Sequence, residues 1–335
     1  MPDATTTVQS QTVPLPGGAE ALLTWAGATH RGRKREVNQD AILMSCPLFV
    51  VADGMGGHIG GEIASASTVD RLGAMAAAGD ITPAAIEAAL GDAVHDIADH
   101  PETTDDGTGT TVTGIYLDTS TSPASWVVLN IGDSRVYLLR DGALVQVTTD
   151  HSLVQELVQA GRLSPEEAEN HPYGNVITRA VGPSESVVPD YVRVDVVDGD
   201  RFVVCSDGLT KELTDYGILH FLREHADPGA AVDAMMAAAL ENGGRDNISI
   251  IVVDIARRGE DQDFDTRPGR VETGAAADGE DDAGDAEAEG EIAGTPAEAD
   301  SANEAGVDAG APGDATTDAH DAGDDDRPSQ EPGRP

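Results

Sequence analysis

Apolar and polar positions along the chain change period often. Short apolar runs rich in β-branched residues read as strands: Leu23–Thr29, Ala41–Cys46, Leu48–Asp53, Thr110–Leu117, Trp126–Ile131, Arg135–Arg140, Ala143–Thr148, Tyr191–Val197, Phe202–Ser206 and Ile248–Ile255. The pair Asp141-Gly142 between two of them is a hairpin turn signal. Helical periodicity interrupts the strands. Ile59–Ala78 carries Ile59, Ile63, Ala66, Leu72 and Met75 at near-helical spacing, and Pro83–Ala98 follows Thr82, a capping residue ahead of a first-turn proline. Ser152–Ala160 and Pro165–Asn170 read as short helices, the second opened by the capping box Ser164-Pro165-Glu166-Glu167. Asp215–His225 and Gly229–Asn242 are the last two. Strands in pairs, with helices inserted in twos, predict an α+β fold. Its centre is a β-sandwich of two antiparallel sheets, not a series of βαβ units.

Composition divides the chain. Its 335 residues carry 61 Asp plus Glu against 20 Lys plus Arg, a formal net charge of −41. That surface repels phosphate backbones and anionic membranes, so nucleic acid is excluded as a partner. Residues 259–335 hold 24 acidic and 4 basic residues, and their only large apolar side chains are Phe264, Val271, Ile292 and Val307. Such a segment cannot bury enough surface to offset its ordering entropy, so 258–335 is expected to be a disordered acidic tail. Residues 1–22, rich in Thr, Gln, Pro and Gly, read as a flexible leader, and 23–257 as one domain with a large core. No apolar stretch reaches the ~20 residues of a membrane span, and no secretory signal opens the chain. Cys46 and Cys205 sit in strand-like runs and read as buried thiols. A cytoplasmic monomer is the expectation.

The chemistry lies at the strand ends. Asp53 follows Leu48–Ala52, Asp133 follows Val127–Gly132, Asp207 follows Phe202–Ser206, and Asp246 precedes Asn247–Val253. A lone Asp-Gly is usually a turn, as Asp141-Gly142 is expected to be. Several carboxylates held rigidly together would repel one another unless a cation sat between them, and hard oxygen ligands suit Mg²⁺ or Mn²⁺.

The ordered set Arg35-Glu36-Val37-Asn38-Gln39-Asp40, Asp53-Gly54-Met55-Gly56-Gly57-His58, Gly109-Thr110-Thr111, Gly132-Asp133-Ser134-Arg135, Ser206-Asp207-Gly208 and Gly244-Arg245-Asp246-Asn247 resembles the metal-dependent protein phosphatases of the 2C type, in their bacterial branch. The resemblance runs from about Thr24 to Ile255. It implies hydrolysis of phosphoserine and phosphothreonine in proteins by a metal-activated water at a binuclear Mn²⁺ or Mg²⁺ centre, opposing bacterial Ser/Thr kinases. The implied partners are phosphorylated proteins, the kinases and their substrates among them. By this resemblance Asp53 bridges two metals, the Gly54 carbonyl assists one, and Asp207 and Asp246 complete the other. Asp133 with Asp207 matches a third, weaker metal position, and Asp40 an outer carboxylate that orients metal-bound water.

Arg35 matches the family's phosphate-binding arginine, and a guanidinium fork suits a phosphate dianion. Taken alone it would be one surface charge in the cluster Arg31, Arg33, Lys34, Arg35. His58 is displaced from the place where eukaryotic members carry a general-acid histidine, which Met55 fills here, so its role is either acid or substrate guide. Gln39 stands where some relatives have Glu, which weakens metal binding. Residues 150–182 match the variable flap, a segment able to gate access. Thr110-Thr111 read equally as a strand start, Ser134 and Arg135 as structural, and Asn247 as the residue fixing the turn after Asp246. Two other readings stand beside the main one. A phosphatase of an anti-sigma-factor antagonist usually lacks the phosphate arginine, and a non-catalytic phosphoprotein-binding module would have lost an aspartate.

Overall fold

The structure is a computed structural model describing residues 6–56, 60–103, 107–169, 171–183, 187–258 and 272–273. All of these fall in one compact unit spanning 1–277. In chain order the strands are β1 Gln9–Pro14, β2 Glu20–His30, β3 Asp40–Ser45, β4 Leu48–Met55, β5 Gly109–Thr110, β6 Val112–Asp118, β7 Ser125–Ile131, β8 Arg135–Arg140, β9 Ala143–Gln146, β10 Asp190–Asp195, β11 Arg201–Cys205, β12 Ile248–Arg258 and β13 Glu272–Thr273. The helices are α1 Gly60–Ala78, α2 Pro83–Asp99, α3 Leu153–Gln159, α4 Pro165–Glu169, α5 Asp207–Thr210, α6 Asp215–Glu224 and α7 Pro228–Asn242.

One sheet has the order β1-β2-β12-β11-β8-β9 and the other β13-β10-β7-β6-β4-β3, with β5 beside β4. Among the described residues every pairing between strands is antiparallel, so the α+β sandwich expected from the pattern is the fold. The continuous apolar runs are explained by burial on both faces. On β4, Phe49 and Val51 face the other sheet, while Leu48 and Val50 pack under α1 and α2 with Leu72, Ile86 and Leu90. On the other sheet Val203, Cys205, Ile250 and Val252 pack under α6 and α7 with Ile218, Leu222, Val232 and Met235. Between the sheets, Trp25 meets Phe49 edge-on at 5.3 Å and Trp126 meets Phe202 at 5.1 Å. These contacts fix the spacing of the two layers.

Local side-chain bonds set the helix starts and the hairpin turn. Thr82, Thr214 and Asp227 each accept a backbone N–H at a helix start. Ser164 and Glu167 exchange both bonds of the capping box. Asp141 and Gly142 both take positive φ in the β8–β9 turn, as a type I′ hairpin requires.

Two boundaries are corrected. Residues 9–22 are not a flexible leader: β1 pairs along its length with β2, and Val13 and Leu15 are buried against the inter-sheet core. As an edge strand β1 buries little else, so its polar sequence hid it. The C-terminal boundary at 257 also moves, because β12 continues to Arg258 and Glu272–Thr273 pairs with β10. The rest of the acidic tail lies outside the described residues. Among the described residues no helix is long and apolar enough to cross a membrane.

Candidate metal centre

The strand-end aspartates meet at one end of the sandwich. Asp40 opens β3 and stands directly across from Asp53 on β4. Asp207 opens α5 straight after β11, Asp246 lies two residues before β12, and Asp133 lies two residues past β7. Thr111 interrupts the strand expected over Thr110–Leu117. Its N–H donates to the Asp53 carbonyl at 2.9 Å, and its Oγ1 accepts the Asp53 N–H at 3.0 Å and meets Ser134 Oγ at 2.8 Å. That bonding ties the Asp53 and Asp133 segments together. Gly54 must be glycine, since a Cβ there would run into the Gly61 and Gln39 carbonyls. The α1 N-terminus is thereby drawn onto the strand end.

Burial and mutual repulsion dominate the electrostatics. Burial pushes the Asp53 carboxyl well above its usual range, and Asp40, Asp207, Asp133 and Asp246 push it further. Burial, then Asp207 and Asp150, raise Asp133 to about 7. Burial raises Asp40 to about 6, against hydrogen bonds from Ser249 and Ser206. Asp207 is raised by burial despite Lys211 beside it. At Asp246 burial also acts upward, but Lys211 and Arg35 outweigh it and hold the carboxyl low.

Two cations already engage the cluster. Lys211 Nζ lies 2.5 Å from Asp207 Oδ2 and 3.0 Å from Asp246 Oδ2, and the Arg35 guanidinium lies 2.8 Å from Asp246 Oδ1. Among the described residues no group of three or more His, Cys, Asp or Glu side chains is placed as a metal site. The donor set nonetheless fits divalent cations. It is all hard oxygen, Asp40 Oδ1 is buried without a partner, and Asp207 Oδ1 lacks one unless Asp53 carries a proton.

Several residues read as structural or overlooked in the sequence complete the arrangement. Asp40 Oδ2 accepts from Ser206 Oγ at 2.8 Å and Ser249 Oγ at 2.7 Å. Asn247 does more than fix its own turn. Its Nδ2 donates to the Arg31 and Val37 carbonyls and its Oδ1 accepts the Gln39 N–H, so it holds the loop that carries Arg35. Serines within apolar runs and an Asn beside a strand-end Asp were the available signals. His58 lies outside the described residues.

The flap segment holds α3 and α4, and Val181 bridges back to Thr110. Its first residues are anchored. Asp150 takes a two-pronged bond from Arg135, and His151 Nδ1 accepts the Gly132 N–H at 3.0 Å. Between flap and core runs a cleft of about 1260 Å³, lined by Asp133, Asp207, Lys211 and Asp246 at one part and by Val154, Val158 and Tyr216 at another.

Two packed antiparallel sheets, helices on both outer faces and a carboxylate cluster at one end define an αββα protein with an acidic cleft. The chain belongs to the protein phosphatase 2C family, whose sequence pattern matches residues 26–242. It is 35% identical over 266 residues to the serine/threonine protein phosphatase PstP of Mycobacterium tuberculosis, a match covering 78% of this chain and 49% of that protein. The chain thus spans about half the length of this relative. It is 34% identical to the serine/threonine phosphatase stp of Listeria monocytogenes, covering 70% of this chain and 97% of that one. The crystal structure of the PstP catalytic domain in complex with two manganese ions superposes with a TM-score of 0.62 at 33% identity, covering 70% of this chain and 99% of that chain.

Proposed function

We propose that this chain hydrolyses phosphoserine and phosphothreonine in proteins, using two Mn²⁺ or Mg²⁺ ions held by Asp53, the Gly54 carbonyl, Asp207 and Asp246, with Asp133 and Asp207 offering a third, weaker position. The observation that carries this reading is the convergence of aspartates from separate strand ends, all burdened by burial and all but Asp246 raised on balance. Buried carboxylates in that number need a cation of high charge. Bound there, two divalent ions would supply the charge that activates a water for in-line attack and offsets the phosphate's negative charge. Asp40, held through Oδ2 by Ser206 and Ser249, keeps a buried Oδ1 without a hydrogen-bond partner, an acceptor available to a bound water. Arg35 is the phosphate-binding group: about half exposed, it swings from Asp246 to the phosphate oxygens. The serine/threonine phosphatases it resembles support the substrate class, and bacterial Ser/Thr kinases and their targets are then the partners. The test is phosphate release from a phosphothreonine peptide with and without added Mn²⁺, beside an Asp207→Ala control. Turnover independent of metal, or retained in the control, rejects the reading.

A further inference from the structure

The chain uses 18 arginines but only 2 lysines, and one of the two, Lys211, stands in the carboxylate cluster. Its position is fixed by the fold. Asp207 opens α5, Lys211 closes it one turn later with its N–H on the Asp207 carbonyl, and Gly208 packs against the Asn247 carbonyl. The ammonium therefore bridges Asp207 Oδ2 and Asp246 Oδ2, the same two carboxylates assigned above to one metal position. An ammonium is a compact point charge, whereas an arginine fork is broad and planar. Of the two it is the better mimic of a bound ion. It cannot share the place. A Mg²⁺-sized cation taking those same Oδ2 oxygens at about 2.0–2.1 Å would claim the contacts that Nζ now makes at 2.5 and 3.0 Å. One third of the Lys211 side chain is exposed, and the cleft beside it, lined by Thr210, Thr214 and Tyr216, has room for the displaced stem.

We propose that Lys211 is a built-in competitor for the cation position at Asp207 and Asp246. With the ammonium between them the two carboxylates are compensated and the fold tolerates the absence of metal. A divalent ion binds only by displacing it into the cleft, so metal affinity is the difference between two cations' claims on one site. The inference rests on the reading of these aspartates as metal ligands.

Calorimetric titration of Mn²⁺ into the metal-stripped full chain tests it, with wild type, Lys211→Met and Lys211→Arg compared. Removing charge-assisted contacts to the metal's own ligands predicts binding about tenfold tighter or more in Lys211→Met. The same variant melts lower than wild type without metal and gains more on loading, whereas Lys211→Arg gains no affinity. A second measurement needs no variant. With only two lysines, ¹⁵N-lysine NMR of the wild-type protein should show one exchange-protected ammonium signal that disappears on adding Mg²⁺. Equal or weaker Mn²⁺ affinity in Lys211→Met, or an ammonium signal that Mg²⁺ leaves unchanged while calorimetry shows binding, overturns this inference alone. No binding by either protein overturns the metal reading and this inference together.

Discussion

Asp40 and Asp53 stand directly opposite each other on β3 and β4, two carboxylates in one cross-strand pair. Like charges at that spacing destabilise a sheet by themselves; burial raises the Asp53 carboxyl and Asp40 pushes it further, while burial, with Asp207 and Asp246 adding, pushes Asp40 itself up to about 6.

Replacing Asp40 with Asn removes that repulsion while keeping an acceptor for Ser206 and Ser249. The metal-free protein at pH 7.5 should gain about 1 kcal/mol, or about 2–4 °C in melting temperature for a domain of this size. The stabilisation brought by Mn²⁺ should shrink. Melting curves with and without Mn²⁺ check both. An Asp40→Asn protein that melts lower without metal would show that the serine hydrogen bonds outweigh the repulsion.

Arg35 makes its ion pair with Asp246 from a half-exposed position, so its loss should cost little stability and much substrate binding. Arg35→Ala is expected to lower kcat/KM for a phosphothreonine peptide about 10- to 100-fold, the worth of a charge-assisted bond. Most of the change should fall in KM. Arg35→Lys should recover only part of it, because one ammonium cannot hold two phosphate oxygens in a fork. Steady-state kinetics on the three proteins decide the point.

Asn247 bonds three backbone groups of residues 31–39. Asn247→Ala removes the partner of three part-buried backbone groups, which costs less than the about 1–3 kcal/mol of a fully buried group. The loop that aims Arg35 loosens as well. The expected result is a raised KM together with a lower melting temperature. Unchanged KM would assign Asn247 to stability alone.

His151 is held below its ordinary value first by burial, with Arg179 adding and Asp190 opposing. Its Nδ1 accepts the Gly132 N–H, which only the neutral ring can do through that atom. The folded protein therefore binds this proton less readily than the unfolded chain. The stability owed to His151 is complete above pH 6.5 and is lost as pH falls from there through the depressed folded value. Melting temperatures between pH 7.5 and 5 should drop less steeply in His151→Gln than in wild type. Parallel profiles would remove His151 from the acid response.

The sandwich was legible because its strands are buried on both faces, so Leu48–Ala52 and Phe202–Cys205 are apolar without interruption. Asp53, Asp207 and Asp246 were legible because each breaks such a run at its end. Edge strand β1 was not: only Val13 in it is buried, and a polar edge looks like a leader. The break at Thr111 was hidden because its partner, Asp53, is 58 residues away. Ser206 and Ser249 were passed over as small strand residues, though both turn toward Asp40. Lys211 lies four residues past Asp207, a spacing that brings side chains together on a helix. A helix of four residues after a strand has too little pattern to be read.

Bound Mn²⁺ and turnover of a phosphothreonine peptide, measured on the same samples of wild type and Asp53→Asn across a Mn²⁺ titration, test the central claim most directly. Turnover in wild type should rise as the second ion binds, and Asp53→Asn should lose both tight binding and turnover. Turnover that precedes metal binding, or that survives in Asp53→Asn, would contradict a carboxylate-held metal centre as the seat of the chemistry.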